Sequence, residues 1–203
     1  MRSDLPPRRG LYDPRLEHDS CGVNFVCDMR GRASHEIVTR GIGALRNLEH
    51  RGASGADINT GDGAGMLIQV PDRFYRDVVA FDLPPAGAYA TGTAFLPQDP
   101  EQAAAGIAAV ERILHEEGLR TLGWRELPID ESMVGSASLM TMPTFRQVFV
   151  SGDGLTGIAL DRRAYIARKR IEHEISLVAG IDEVNEAMGG ASSAHDGVYF
   201  PSL

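Results

Sequence analysis

The chain has 203 residues, with 28 Asp and Glu against 20 Lys and Arg, a formal net charge of −8, and 43% apolar against 24% charged residues. These proportions suit one domain, or a domain with an insertion, that buries a real core. They argue against a nucleic-acid or anionic-membrane surface, which needs a basic patch, and two cysteines are too few for a disulfide framework or for the usual four-cysteine iron–sulfur cluster.

Residues 1–20, "MRSDLPPRRGLYDPRLEHDS", read as an irregular leader. Pro6, Pro7 and Pro14 are unsuited to a helix interior, and there is no apolar h-region of a secretion signal. With no run of about 18 apolar residues anywhere, the expectation is a cytoplasmic protein with no membrane partner. Gly22–Asp28 alternates Val23, Phe25 and Cys27 with Asn24 and Val26, a period of two that predicts a strand. "SHEIVTRGIGALRNLEHRG" has helix spacing. Ser34 stands at the N-cap, Ile37, Val38, Ile42, Leu45 and Leu48 fall on one face, and Gly52 occupies the expected C-cap. Gly41 and Gly43 inside it predict close packing against another backbone, since glycine costs roughly 1 kcal/mol against alanine in a helix.

The glycine-rich "GASGADINTGDGAG" follows, then "MLIQVP" as a strand and Asp72–Phe81 as a short helix. "AYATGTAFLP" reads as a strand. Pro100–Gly118 reads as a helix with Ala103, Ile107, Val110 and Leu114 on one face, and "LRTLGWRELP" as another strand. After a mixed loop, "FRQVFVS" is a strand, Leu160–Val178 a charged amphipathic helix with Asp161 as a cap, "GGASSAHDG" a loop, and "VYFPSL" the start of a strand. From Tyr89 onward the order strand, helix, strand, strand, helix, strand is that of a ferredoxin-like split unit.

Motif by motif, most chemistry reads as absent. "GDGAG" precedes a strand, does not open a helix, and lacks the Lys-Ser/Thr of a phosphate loop, so a sharp turn is the better reading than a phosphate-binding regulatory domain. "HEEG" at His115 lacks the second histidine of a zinc motif, "EHE" at 172–174 reads as a solvated helix face, and His18, His35 and His50 do not have zinc spacing. No metal site is expected. For Cys21 and Cys27 the residues alone leave three readings: two buried thiols of one strand, a metal or redox pair lacking two further ligands, or a leader-masked nucleophile. A buried structural thiol is the default for each.

"CGVNFV", then a helix ending in "NLEHRGASGAD", then "TGDGAGMLIQVP", resembles the start of the class II glutamine amidotransferases. The narrower pattern resembles the amino-terminal part of the large subunits of glutamate synthases. "GRASHEIV", "LGWRELP", "FRQVFV" and "RKRIEHE" extend the likeness over essentially the whole chain. The resemblance implies an α+β fold, the four-layer αββα sandwich of N-terminal-nucleophile hydrolases, incomplete here. It implies a leader over 1–20 and the front part of the amidotransferase domain over 21–203; the order of elements after Tyr89, read by itself, adds the expectation of a ferredoxin-like inserted α/β segment over 88–203. Cys21 becomes the first residue once the leader is removed after Ser20. Its thiolate attacks the side-chain amide of glutamine, a γ-glutamyl thioester forms and ammonia leaves. Arg51 of "HRG" lies beside the nucleophile and favours thiolate, the other reading being an arginine that holds a helix end through its carbonyls, and Gly52 lets the backbone approach. His50 and Asp57 read as structural, and Asn24 has no assigned role.

The resemblance further implies glutamate biosynthesis as the wider role, with the rest of the large subunit and the glutamate synthase small subunit as partners. The full-length enzyme is an oxidoreductase with FMN and an iron–sulfur cluster, neither bound by this segment. No "HNGE"-like or "RFST"-like stretch occurs here, and the family's substrate-binding arginine, oxyanion Asn-Gly pair and amine-binding aspartate are expected beyond "VYFPSL". The alternative expectation is therefore a catalytically silent truncated fragment or interaction module.

Overall fold

The computed structural model describes residues 22–48 and 63–178. The expected leader, Cys21, His50, Arg51, Gly52, Asp57, most of the glycine-rich loop and the strand expected at "VYFPSL" lie outside the described residues. Along the described chain the order is α1 (His35–Asn47), α2 (Asp72–Val78), β1 (Ala90–Leu96), α3 (Pro100–Glu116), β2 (Leu119–Glu126), a 3₁₀ turn (Glu131–Met133), α4 (Ser136–Thr141), β3 (Thr144–Gly152) and α5 (Gly157–Val178). These residues divide into two units. One holds 22–48, 63–68 and 133–138, the other 69–132 and 139–178. The mixed helix and sheet agrees with the α+β class expected.

The first unit is built on α1. Ser34 stands at its N-cap as the spacing predicts, but its side chain makes no capping hydrogen bond, and the helix closes at Asn47 with Leu48 as C-cap. Two expected strands are not formed among the described residues. Gly22–Asp28 and 66–70 form no ladder there, and Val23, Phe25 and Leu67 are largely exposed. A period of two reports a strand only when a partner strand takes up the backbone groups and a surface covers one face. Cys27, expected as a small buried residue, is an exposed free thiol for the same reason. Gly41 packs as predicted, though against a side chain rather than a backbone: a Cβ there would lie 2.7 Å from Met66 Sδ. Gly43 faces open space.

The second unit is a three-stranded antiparallel sheet in the order β1-β3-β2, so the last strand in sequence is central. Its core lies on one face of the sheet. There Ala94, Leu96, Val148 and Val150 meet Val110, Ile113 and Leu114 of α3 and Leu160, Ala164, Ala167 and Ile171 of α5. The stripe expected on α3 is this buried face, with Ala103 and Ile107 at its margin. Asp99 caps α3 by accepting a hydrogen bond from the Gln102 N–H at 2.8 Å, and Pro100 follows at the first turn, where its missing N–H costs nothing. The helix ends because Gly118 adopts φ +72° and turns the chain into β2. Asp99→Ala is expected to lower stability by about 1 kcal/mol, the usual worth of such a cap, measurable as a shift of the urea midpoint at unchanged slope.

α5 starts at Gly157, three residues before the position predicted, so Asp161 lies inside the helix and is not its cap. Gly157 takes φ +54° and its N–H donates to Gly87 O at 2.9 Å, which fixes where the helix starts. The "EHE" face is not simply solvated. Arg170 of α5 bonds Glu116 of α3 and its C-cap Glu117, each at 2.7 Å, and Glu174 on its own helix, while Arg112 reaches Glu174 at 3.2 Å. These partly exposed pairs link α5 to the end of α3, and each adds little stability.

The other sheet face carries an aromatic cluster, with Phe149 at its centre touching Tyr75 and Phe81 edge-on. β2 bulges between Thr121 and Gly123. The Phe81 ring occupies the space a Cβ at Gly123 would need. Buried Gln147 donates to Tyr75 Oη at 2.8 Å and accepts from Arg125 Nη1 at 3.3 Å, so its amide is satisfied at both ends.

Candidate active site

The residues expected to do the chemistry, Cys21, Arg51 and Gly52, lie outside the described residues, and the structure therefore speaks through their neighbours in the chain. Gly22, which follows Cys21, sits against Leu48, three residues before Arg51. A Cβ on Gly22 would come within 2.8 Å of Leu48 Cδ2 and 3.1 Å of Cδ1. Leu48 is there because α1 has just ended: its N–H is held by Leu45 O and its side chain projects from the C-cap. The segment leaving the glycine-rich loop lies on the same helix, through Met66 at Gly41. The sequence reading did not anticipate that Leu48 would seat Gly22. The available signal was an apolar residue at the helix end paired with a glycine after the cysteine.

Beyond Gly31, the turn after Gly22–Asp28 is locked by charge. The Asp28 carboxylate accepts from the Arg30 N–H at 2.7 Å and from Arg32 Nη2 at 2.9 Å. Arg32 and the Arg30 amide hold that carboxyl below its ordinary range. Gly31 takes φ +69°, a turn position that favours glycine.

Two clefts of the second unit contain none of the expected site residues. One, of about 630 Å³, is lined by Gln98, Glu126, Ile129, Leu139, Met142 and Phe145 among others. The second, of about 430 Å³, lies between Glu111 and His115 of α3 and Arg120 to Trp124 of β2. Trp124 Nε1 donates to Glu111 at 2.8 Å across it. Neither cleft brings a nucleophile to a base. Among the described residues no three His, Cys, Asp or Glu side chains gather to hold a metal ion, and Gly63 and Gly65 of the glycine-rich loop have neither a positive φ nor close neighbours.

Among the described residues a strongly perturbed titrating group is structural. Tyr89 is driven far above the ordinary phenol range, first by burial and then by the hydrogen bond it donates to Asp72 at 3.0 Å. Asp72 is lowered, chiefly by Arg76, whose Nε and Nη2 each stand 2.9 Å from it. Arg76 also reaches Leu83 O at 2.9 Å and Pro84 O at 2.5 Å, clamping α2 to the entry of β1. Since the folded carboxyl titrates below its ordinary value of 3.8, the clamp's contribution is present above that pH and is lost as pH falls through the lowered value. Asp72→Asn is expected to lower stability at neutral pH. The gap from wild type should close on acidification past the carboxylate range, as read from unfolding curves across pH.

Comparison with known proteins bears on the whole chain. The model of the class-II glutamine amidotransferases matches residues 21–195, starting at Cys21. The chain is 32% identical over 202 residues to the glutamate synthase [NADPH] large chain of Bacillus subtilis (strain 168), covering 98% of this chain and 13% of that one. It is 38% identical over 181 residues to the glutamate synthase [NADH] of Schizosaccharomyces pombe, covering 84% and 9%. With the ferredoxin-dependent glutamate synthase 2 of Synechocystis sp. it shares 35% identity over 168 residues, covering 79% and 10%. The chain thus spans about an eighth or less of the length of these relatives. Matched over 21–195 of its 203 residues, the chain belongs to the class-II glutamine amidotransferase family.

Proposed function

We propose that this chain is the nucleophile-bearing part of the amidotransferase segment of a glutamate synthase, and that Cys21 is its nucleophile. The observation that carries the reading is the family match beginning at Cys21. The approach of Gly22 to Leu48 supports it. Cys21 is the chain neighbour of Gly22, and Arg51 is three positions after Leu48, a span of about 10 Å at full extension.

In this reading, removal of 1–20 frees the α-amine of Cys21. A free α-amine titrates at about 7.7–8.0 and a free thiol at about 8.5, so each is poised for proton exchange near neutrality. The amine accepts the thiol proton, and the thiolate adds to the side-chain carbonyl carbon of glutamine. The same amine returns the proton to the departing nitrogen, and ammonia leaves. Water, deprotonated by that amine, then cleaves the thioester to glutamate and the thiol. With its nitrogen in a peptide bond Cys21 lacks this base, so the leader acts as a lock. Arg51 stabilises the thiolate, and Gly52 keeps the approach clear.

The wider enzyme supplies the remaining chemistry. Glutamate formation in glutamate biosynthesis, with the rest of the large chain and a small subunit as partners, belongs to the longer proteins that this chain resembles. We read residues 88–203 as an inserted α/β segment on a ferredoxin-like plan, supported by the strand order β1-β3-β2 with both helices on one face. The test of the nucleophile is intact mass after treatment with a diazoketone analogue of glutamine. A single adduct on a chain beginning at Cys21 is expected. A mass that retains 1–20, with no adduct on Cys21, overturns the reading.

A further inference from the structure

We propose that the cleft where β1 and β2 end and β3 begins docks a segment of a partner polypeptide that carries an apolar side chain beside a lysine or arginine. The inference is independent of the nucleophile reading, because the cleft holds none of the residues assigned to glutamine hydrolysis.

Its lining is apolar and acidic. The cleft, of about 630 Å³, takes apolar walls from Ile129, Leu139, Met142 and Phe145, and its charge from Glu126 and Glu131. No lysine, arginine or histidine lines it among the described residues. Arg146 Nη2 stands 2.9 Å from Glu126, but the Glu126 side chain is 81% exposed. Water screens such a pair, and a carboxylate with two oxygens can accept from a second cation as well.

The walls are fixed by bonds between separate segments. Gln98 Nε2 donates to Met142 O at 2.7 Å, which ties the chain after β1 to the residue after α4. The Leu127 N–H donates to Phe145 O at 3.4 Å. The Asp130 carboxylate accepts from the Ser132 N–H at 3.1 Å and from its hydroxyl at 2.6 Å, which sets the turn between Ile129 and the 3₁₀ turn. The Phe145 ring is braced by Phe95, with centroids 4.8 Å apart. A cleft held in this way exists before anything binds, so little ordering is needed on docking.

Apolar exposure favours a polypeptide over a small cation as occupant. Ile129 is 45% and Leu139 36% exposed, and Met140, next to Leu139 in α4, is 76% exposed. Apolar exposure that extends past a cleft and is bordered by charge marks a surface for another polypeptide. Charge complementarity then sets its chemistry. An acidic cleft with no cation in its lining attracts a basic segment and rejects an acidic one, and an apolar side chain beside the basic one fills the space between the walls.

Two libraries of short peptides test this. One places Leu, Met or Phe beside Lys or Arg, and the other carries Glu at the basic position. The immobilised full chain should retain the first over the second by at least about tenfold, the scale set by two exposed ion pairs. Glu126→Gln with Glu131→Gln should abolish most of that preference, and Leu139→Ser should lower retention of the basic library. Asp77→Asn with Asp153→Asn, exposed carboxylates outside the cleft, should leave it unchanged. In the unaltered chain a photo-reactive leucine in the retained peptides should label 139–145. Equal retention of the two libraries, an equal loss in the Asp77 and Asp153 variant, or labelling elsewhere overturns the proposal. Displacement of the peptides by n-hexylamine at equal concentration assigns the cleft to a small cation and overturns it. Self-association of the chain that Leu139→Ser abolishes assigns the cleft to a second copy and also overturns it.

Discussion

Cys21→Ala should abolish glutamine hydrolysis, lowering kcat by on the order of 10⁴-fold or more, the scale at which removing a covalent nucleophile acts in other enzymes. Cys27→Ala should leave it unchanged. The two cysteines lie six positions apart, but only one is expected to react by attack on an amide. Cys27 is an exposed thiol in a segment with no ladder, so a generic alkylating reagent should modify it, while the glutamine analogue should spare it. Ammonia release by the longer polypeptide that carries this segment, with peptide mapping of the adduct, checks both statements. A Cys21→Ala protein that still releases ammonia at the parental rate would remove the nucleophile assignment. The leader adds a second arm. A chain made to begin Met-Cys21, with the methionine removed, should trap the analogue without further processing, since the free amine is then present from the start.

The second large effect is on stability. Phe149→Ala is expected to cost about 3–5 kcal/mol, the range for removing a large aromatic side chain from a core. Phe149 is fully buried. Its ring meets Tyr75 edge-on at 4.9 Å and Phe81 at 5.4 Å, with Tyr89 at 6.3 Å. It thus joins the central strand to α2 and to the segment before β1. Phe145→Ala should cost clearly less. Phe145 is only half-buried, and its ring pairs with Phe95 at 4.8 Å near the end of the sheet. Denaturant unfolding of the three proteins gives the comparison. Equal costs would mean that the Phe149 cluster is not the joint between α2 and the sheet.

Much of the second unit was legible from its periodicities, and little of the first was. α3 and the strands β1, β2 and β3 stand where the alternation and the 3.6-residue spacing put them, give or take two residues. Each buries one face against a core, so its local pattern and its environment agree. In the first unit the same patterns at 22–28 and 66–70 misled, because the side chains that alternate there are exposed. Cys21, Arg51 and Gly52 came from motif resemblance, not from periodicity. The structure adds the contact of Gly22 with Leu48 next to them, which no spacing rule encodes.

By itself, the sequence determined the family, the candidate nucleophile, a net charge of −8, and the helix and strand segments with one buried face. These are properties of residue type and of short-range order. Only the tertiary structure decided that the last described strand is the central one, that β2 bulges where Gly123 admits the Phe81 ring, that α5 starts on the left-handed Gly157, and that Cys27 is exposed. Each of these depends on which distant segment supplies the partner backbone or the covering surface. Strand pairing and burial are contacts between residues far apart in the chain, and a local pattern states what a segment can bury without stating what comes to cover it.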